Sequence, residues 1–297
     1  MRILLTGATG QIGCELTGLL SGHDVFAPTR AACDLALPKS VREAVRAARP
    51  DIIINPAAYT AVDRADQEAL LARAINTIAP AVLAEEARRL GIPLLHFSTD
   101  YVFNGQAAEP YTEEHPTSPI NVYGSTKLEG EQAVQASGCT HLILRTSWVY
   151  SRHGRNFLLT IERLARERTR LTIVADQRGT PNWARELARA AAALAGKSRE
   201  ELAEHGGIYH LSSAGETTWH GFAETIVASM RLPNPVEVVP IATRDYPTPA
   251  LRPAYSVLCT AKLQRVFGIV LPQWEDAFAE CQRTHAPTDL AAARPSG

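Results

Sequence analysis

Short apolar runs alternate with amphipathic stretches through the first half of the chain. Arg2 to Thr6 reads as a first strand and Gln11 to Leu20 as a first helix, with apolar positions at helical spacing. His23 to Ala27 is a second strand, and Pro38 to Ala48 a helix with proline in its first turn. Asp51 to Ile54 is apolar without alternation, as a strand covered on both faces requires. One long helix is predicted over Gln67 to Leu90, stopped by Gly91 and Pro93. A strand at Leu94 to Ser98, a helix at Asn121 to Gln135 and a strand at Leu142 to Thr146 follow. This alternation predicts an α/β fold with a parallel sheet and helices on both faces, its sites at the carboxyl ends of the strands.

The second half is less regular. Asn156 to Glu167, Glu186 to Leu194 and Thr218 to Met230 read as helices, and Gly207 to Leu211 as a short strand. Leu232 to Pro253 is proline-rich and is expected to be mostly loop, lining a pocket. Ala286 to Gly297 lacks periodicity and is expected to be a flexible tail.

Composition narrows the class without choosing a function. The 297 residues are 45% hydrophobic and 21% charged, ordinary values for a globular protein. A formal net charge of -1 offers no footprint for nucleic acid or an anionic membrane. The five cysteines are scattered without a C-x-x-C pair, so free thiols in a reducing compartment are expected. No leader pattern is read, and no apolar run approaches the ~20 residues of a spanning helix. A cytoplasmic location is the expectation.

Candidate chemistry begins after the first strand. Gly7-Ala8-Thr9-Gly10-Gln11-Ile12-Gly13 is a strand-to-helix turn with glycines three apart. Such a turn lets backbone N–H groups approach a pyrophosphate at the positive end of a helix, and the last glycine permits close helix–strand packing. The Gly-x-x-Gly-x-x-Gly spacing points to the short-chain dehydrogenase/reductase type of dinucleotide site. After the second strand stands Pro28-Thr29-Arg30, without an acid to hold ribose hydroxyls. Arg30 therefore favours the 2′-phosphate of NADPH, while Asp34 and Leu35 leave NADH open through contacts to the adenosine.

Tyr123 and Lys127 are four apart on one helix, so phenol and ammonium converge. Reduction of a ketone needs a proton donor beside the nascent alkoxide. A phenol titrates near ~10, and the ammonium is expected to pull that value down. The preceding strand ends in Ser98-Thr99-Asp100, where a hydroxyl can orient a carbonyl.

With these residues placed, the chain resembles the extended short-chain dehydrogenase/reductases and, within them, the dTDP-4-dehydrorhamnose reductase family. The resemblance spans nearly the whole chain. It rests on Leu-Thr-Gly-Ala-Thr-Gly-Gln-Ile-Gly at 5–13, Asn-Pro-Ala-Ala-Tyr-Thr-Ala-Val-Asp at 55–63 and Ser-Thr-Asp-Tyr-Val-Phe-Asn-Gly at 98–105. It continues in Ser-Pro-Ile-Asn-Val-Tyr-Gly-Ser-Thr-Lys at 118–127, Arg-Thr-Ser-Trp-Val-Tyr at 145–150, Asp-Gln-Arg-Gly-Thr-Pro at 176–181 and Tyr-His-Leu-Ser-Ser-Ala-Gly at 209–215.

The resemblance implies a Rossmann-type doubly wound domain over residues 1–150 and a smaller substrate-binding region over 151–285. It implies Gly10, Gln11 and Ile12 at the cofactor pyrophosphate, Asp34 and Leu35 at its adenosine, and Ala57, Ala58 and Thr60 flanking it. It further implies Tyr123 and Lys127 as the catalytic pair, Thr99 and Asp100 at the reacting sugar, and Trp148 against the sugar nucleotide. The implied reaction is NAD(P)H-dependent reduction of the 4-keto group of dTDP-4-dehydro-β-L-rhamnose. Some members dimerise around a magnesium ion, for which Glu15 would be one ligand, with Glu186 near another. Asn182-Trp183 and Cys259 depart from the family pattern. The alternatives are another nucleotide-sugar reductase or epimerase, and a non-catalytic dinucleotide-binding subunit of the kind that serves methionine adenosyltransferase. The complete Thr99–Tyr123–Lys127 set argues against the last.

Overall fold

The computed structural model describes residues 1–284. The expected tail at 286–297 lies outside them. Five parallel strands, β1 (Arg2–Leu5), β2 (Asp24–Phe26), β3 (Ile52–Asn55), β4 (Leu94–Thr99) and β5 (His141–Thr146), join a sixth, Gly207–His210, in one sheet. The order across it is Gly207–His210, β5, β4, β3, β1, β2, and every neighbouring pair is parallel. The order reverses between β1 and β3, which opens a crevice beyond their carboxyl ends.

Strand alternation divides the core. Ile3, Leu5, Ile52 and Ile54 face one side, where α1 (Gln11–Leu19) packs beside the helix Ala184–Ala195. Leu4, Ile53 and Ile143 face the other, under α2 (Pro38–Ala48) and a helix covering Ala79–Leu90. A third apolar cluster, with Tyr150, Leu158, Trp183, Phe222 and Trp274, lies in the second half of the chain.

One expectation needs correction and a second needs an addition. The single helix predicted over Gln67 to Leu90 is broken. The chain forms α3 (Val62–Ala65), α4 (Ala69–Arg73), a π-turn at Ala74–Ile78 and α5 (Ala79–Leu90). Pro80 has no N–H to return to the carbonyl one turn back, so the ladder widens there. Leu232 to Pro253 is mostly loop, as expected, but it also holds a strand. Glu237–Ile241 is a strand paired in parallel with Arg170–Val174, a strand that periodicity also missed. Pro240 masked it, yet in a two-stranded sheet proline can turn its donor-less face outward.

Candidate active site

The glycine turn is built by contact. Gly7 has φ +61, a left-handed conformation that glycine tolerates, and a Cβ there would lie 2.8 Å from the Cβ of Ala57. At Gly13 a Cβ would sit 2.1 Å from the Gly7 carbonyl oxygen, so only glycine lets α1 start this close to the turn. Gly10 is the N-cap of α1 and carries no side-chain cap, leaving the helix start open.

Beside this turn lies a cavity of about 250 Å³ lined by Gly7, Thr9, Arg30, Asp34, Leu35 and Ala57, with Ala58 and Cys33 also on its wall. Six predicted residues from three segments thus share one cavity. Arg30 is largely exposed and reaches the Asp34 carboxylate only at 4.0 Å. Thr60 is exposed and does not line the cavity. The Ile12 side chain belongs to the core, so only its backbone can serve a ligand. The Gln11 side chain is tied elsewhere, accepting from Ser151 at 3.0 Å and Asn156 at 2.9 Å.

The π-turn positions one wall. Asn76 accepts from the Tyr59 amide at 2.8 Å and donates to the Tyr59 carbonyl at 3.1 Å and to Thr126 at 3.2 Å. It pins the Ala57–Thr60 loop to α6 (Val122–Ser137). Asn121 caps α6 by accepting from the Gly124 amide at 2.8 Å. A Cβ on Gly124 would lie 2.2 Å from the Tyr101 carbonyl oxygen, so glycine lets α6 press against the turn that follows β4. That contact sets Tyr123 edge-on to Tyr101, ring centroids 5.4 Å apart.

Thr99, Asp100 and Tyr123 converge at the end of β4. The Thr99 hydroxyl donates to Asp100 at 3.0 Å, and it stands close enough to the Tyr123 phenol to influence its titration. Burial pushes the Asp100 carboxyl up to about 7, against the nearby Ser256 and Thr99 hydroxyls, which pull it down. Burial also pushes Tyr123 up to about 12, helped by the charge of Asp100 and opposed by the nearby Thr99 hydroxyl. This corrects the expectation that Lys127 lowers the phenol. Lys127 is buried and donates to the Phe97 carbonyl at 2.6 Å, and burial brings its own amine down to about 8.

Ser98, Thr146 and the outer carboxylate oxygen of Asp100 are buried polar atoms without a partner among the described residues. They mark the strand ends as a place prepared for a polar ligand. Ser98 and Thr146, the latter opposite Thr99 in the β4–β5 register, both lay in quoted motifs without a role of their own.

Trp148 has φ +43, rare for a large residue, and stacks on Trp219 with centroids 3.5 Å apart. Its indole also lies against Gly179, where a Cβ would be 2.5 Å away. Asn182 explains one departure from the family pattern. Its amide donates to the Ser147 and Thr180 carbonyls at 2.8 and 2.9 Å, and its oxygen accepts from the Ser213 amide at 2.6 Å. It thereby joins three loops next to Trp148.

The residues expected to hold magnesium do not fit a metal. Glu15 is buried and accepts from Arg185 at 2.8 Å, and Glu186 is engaged by Arg189. Among the described residues no group of three or more His, Cys, Asp or Glu side chains is placed to hold one. Nor is any described helix long and apolar enough to cross a membrane.

The family model for the RmlD substrate binding domain matches residues 1–286. The chain belongs to this family. It is 47% identical over 293 residues to a dTDP-4-dehydrorhamnose reductase of Burkholderia thailandensis, covering 95% of this chain and 98% of that protein. A reductase of the same name from Escherichia coli K12 is 44% identical over 289 residues, covering 93% and 95%. A solved dTDP-4-dehydrorhamnose reductase of Bacillus anthracis, in complex with NADP, superposes with a TM-score of 0.88 at 35% identity, covering 95% of this chain and 99% of that one.

Proposed function

We propose that this RmlD-family chain reduces the 4-keto group of dTDP-4-dehydro-β-L-rhamnose to give dTDP-β-L-rhamnose, with NADPH preferred over NADH. The observation that carries the reading is the convergence of Thr99, Asp100 and Tyr123 at the end of β4, one helical turn from Lys127. The glycine cradle and the cavity holding Arg30, Asp34 and Leu35 fit a dinucleotide, since an added Cβ at Gly7 or Gly13 would fill the space backbone must leave. Bound NADPH supplies the hydride.

The protein's residues do the rest. Gly7, Gly10 and Gly13 with the start of α1 receive the pyrophosphate, and Ala57 and Ala58 wall the cavity. Arg30, largely exposed and held only by a 4.0 Å ion pair with Asp34, is placed to meet a 2′-phosphate. Thr99 and Tyr123 hydrogen-bond the carbonyl oxygen as charge grows on it, and Tyr123 donates the proton. A phenol held near 12 is protonated at neutral pH, the form that a reduction consumes. Lys127 orients the ribose, Asp100 and Ser98 meet sugar hydroxyls, and Trp148 forms the wall against the sugar nucleotide.

Following NADPH absorbance with dTDP-4-dehydrorhamnose, beside Tyr123→Phe, tests the reading. Oxidation by the parent that falls about 10²–10⁴-fold in the variant supports it. Tight NADPH binding without turnover of this sugar would replace it with a different keto sugar or a binding role.

A further inference from the structure

Behind the strand ends a chain of buried polar side chains crosses β1, β3 and β4. Thr6 follows β1, Asn55 ends β3 and His96 lies inside β4, and none is more than 2% exposed. A polar group buried this deeply is destabilising unless hydrogen-bonded, and an aliphatic residue would fill position 96 at lower cost.

The contacts fix the direction of each bond. Thr6 Oγ1 lies 2.5 Å from Asn55 Oδ1, so the hydroxyl donates to the amide oxygen. Asn55 Nδ2 then faces His96 Nδ1 at 2.9 Å and donates to it. The buried imidazole is held neutral, so its proton sits on Nε2, which lies 3.5 Å from Lys127 Nζ. A hydrogen on Nε2 needs a lone pair on Nζ, so this arrangement is complete when Lys127 is uncharged. The reverse arrangement turns the Asn55 amide over and places the imidazole proton on Nδ1. It leaves a lone pair on Nε2 and is complete when Lys127 is an ammonium. Thr6 closes both, because its hydroxyl donates or accepts.

The surroundings of Lys127 give this choice weight. Its direct bonds go to Phe97 and His96, and no carboxylate hydrogen-bonds it among the described residues. Glu131, one turn along α6, raises its pKa at a distance, but its two oxygens are taken by Arg145 of β5 at 2.9 and 2.7 Å. Asp63 of α3 and Arg73 of α4 are paired with Arg252 and Glu129. The other titratable or charged groups on the elements packed against α6 are Arg64 of α3, Glu85, Glu86, Arg88 and Arg89 of α5, His141 of β5, Tyr123 of α6 itself, and Asp100 and Tyr101 after β4.

We infer that His96 is a positioning residue for the reduction, and that with Asn55 and Thr6 it switches tautomer to match the charge of Lys127, so that a buried lysine without a counter-ion changes charge in place. The inference rests on the catalytic role proposed above for Lys127.

The test compares the parent protein with His96→Leu, His96→Gln and Asn55→Asp. NADPH affinity by fluorescence, kcat and KM are each followed against pH, with melting temperature as the control for folding. His96→Leu removes an acceptor for the ammonium, so the alkaline limb of both profiles moves down by about one pH unit. At pH 8 kcat falls about tenfold while KM for the sugar changes little. His96→Gln, whose amide offers either donor or acceptor, restores most of both. Asn55→Asp accepts only, holds the imidazole proton on Nδ1 and moves the limb the other way. A His96→Leu protein with an unmoved limb overturns the inference. Where that variant does not fold, an unmoved limb in Asn55→Asp does the same. If the parent binds NADPH but turns over no sugar, the proposed reaction fails while the affinity profile still decides the role of His96.

Discussion

Thr99 gives its hydroxyl proton to the carboxylate of Asp100 at 3.0 Å, and both side chains are almost fully buried. Asp100 is therefore held at the carboxyl end of β4 with burial working against its charge. Its carboxyl titrates near 7 folded, against an ordinary 3.8. The folded chain binds more protons than the unfolded one between those values, so this group's contribution to stability falls as pH rises from about 4 to about 7. Above that range the cost of the buried charge stays in full.

Asp100→Asn keeps an acceptor for Thr99 and removes that charge. It should stabilise the protein at pH 8 by roughly 1–3 kcal/mol, lose the advantage near pH 4, and weaken sugar binding. Thermal melts at both pH values check this. Equal melting-temperature shifts at the two would contradict it.

Gly13 and Gly18 both lie in α1, yet they should respond oppositely to alanine. A Cβ at Gly13 meets the Gly7 backbone at 2.1 Å, whereas at Gly18 nothing lies within 4 Å. Gly13→Ala should lower stability by about 1–3 kcal/mol and abolish NADPH binding. Gly18→Ala should raise stability by about 0.5–1 kcal/mol and leave binding intact. Denaturant unfolding with a cofactor titration separates the two.

Arg30 is bound only loosely, to Asp34 at 4.0 Å. Arg30→Ala should weaken NADPH by about tenfold and NADH by less than twofold, a loss of roughly 1.4 kcal/mol confined to the phosphorylated cofactor. Equal losses for both cofactors would remove the charge argument.

The main sheet was legible because its central strands are buried on both faces and its helices carry clear stripes, as in Ile52–Ile53–Ile54 and α2. The short parallel pair at 170–174 and 237–241 was not, because half-exposed strands of five residues carrying a proline look like loop. At the site, the turn glycines and Tyr123–Lys127 could be read from spacing alone. The direction of the Tyr123 shift could not, since spacing says which groups are near and burial decides which charge survives. His96 did leave a trace, a lone ring nitrogen pair inside the apolar run Leu94–Phe97, and Asn55 stood at the head of a quoted motif. Glu15 shows the converse, a carboxylate given a metal by resemblance and an arginine by the fold.

The central claim is that a hydride reaches C4 of the dTDP-keto sugar while Tyr123 protonates its oxygen. The direct measurement is to supply NADPH deuterated at the transferring position with dTDP-4-dehydrorhamnose and to locate the label in the product by NMR. The account predicts dTDP-rhamnose carrying deuterium at C4, and none formed by Tyr123→Phe. Label at another carbon, or an unlabelled epimer of the starting sugar, would contradict it.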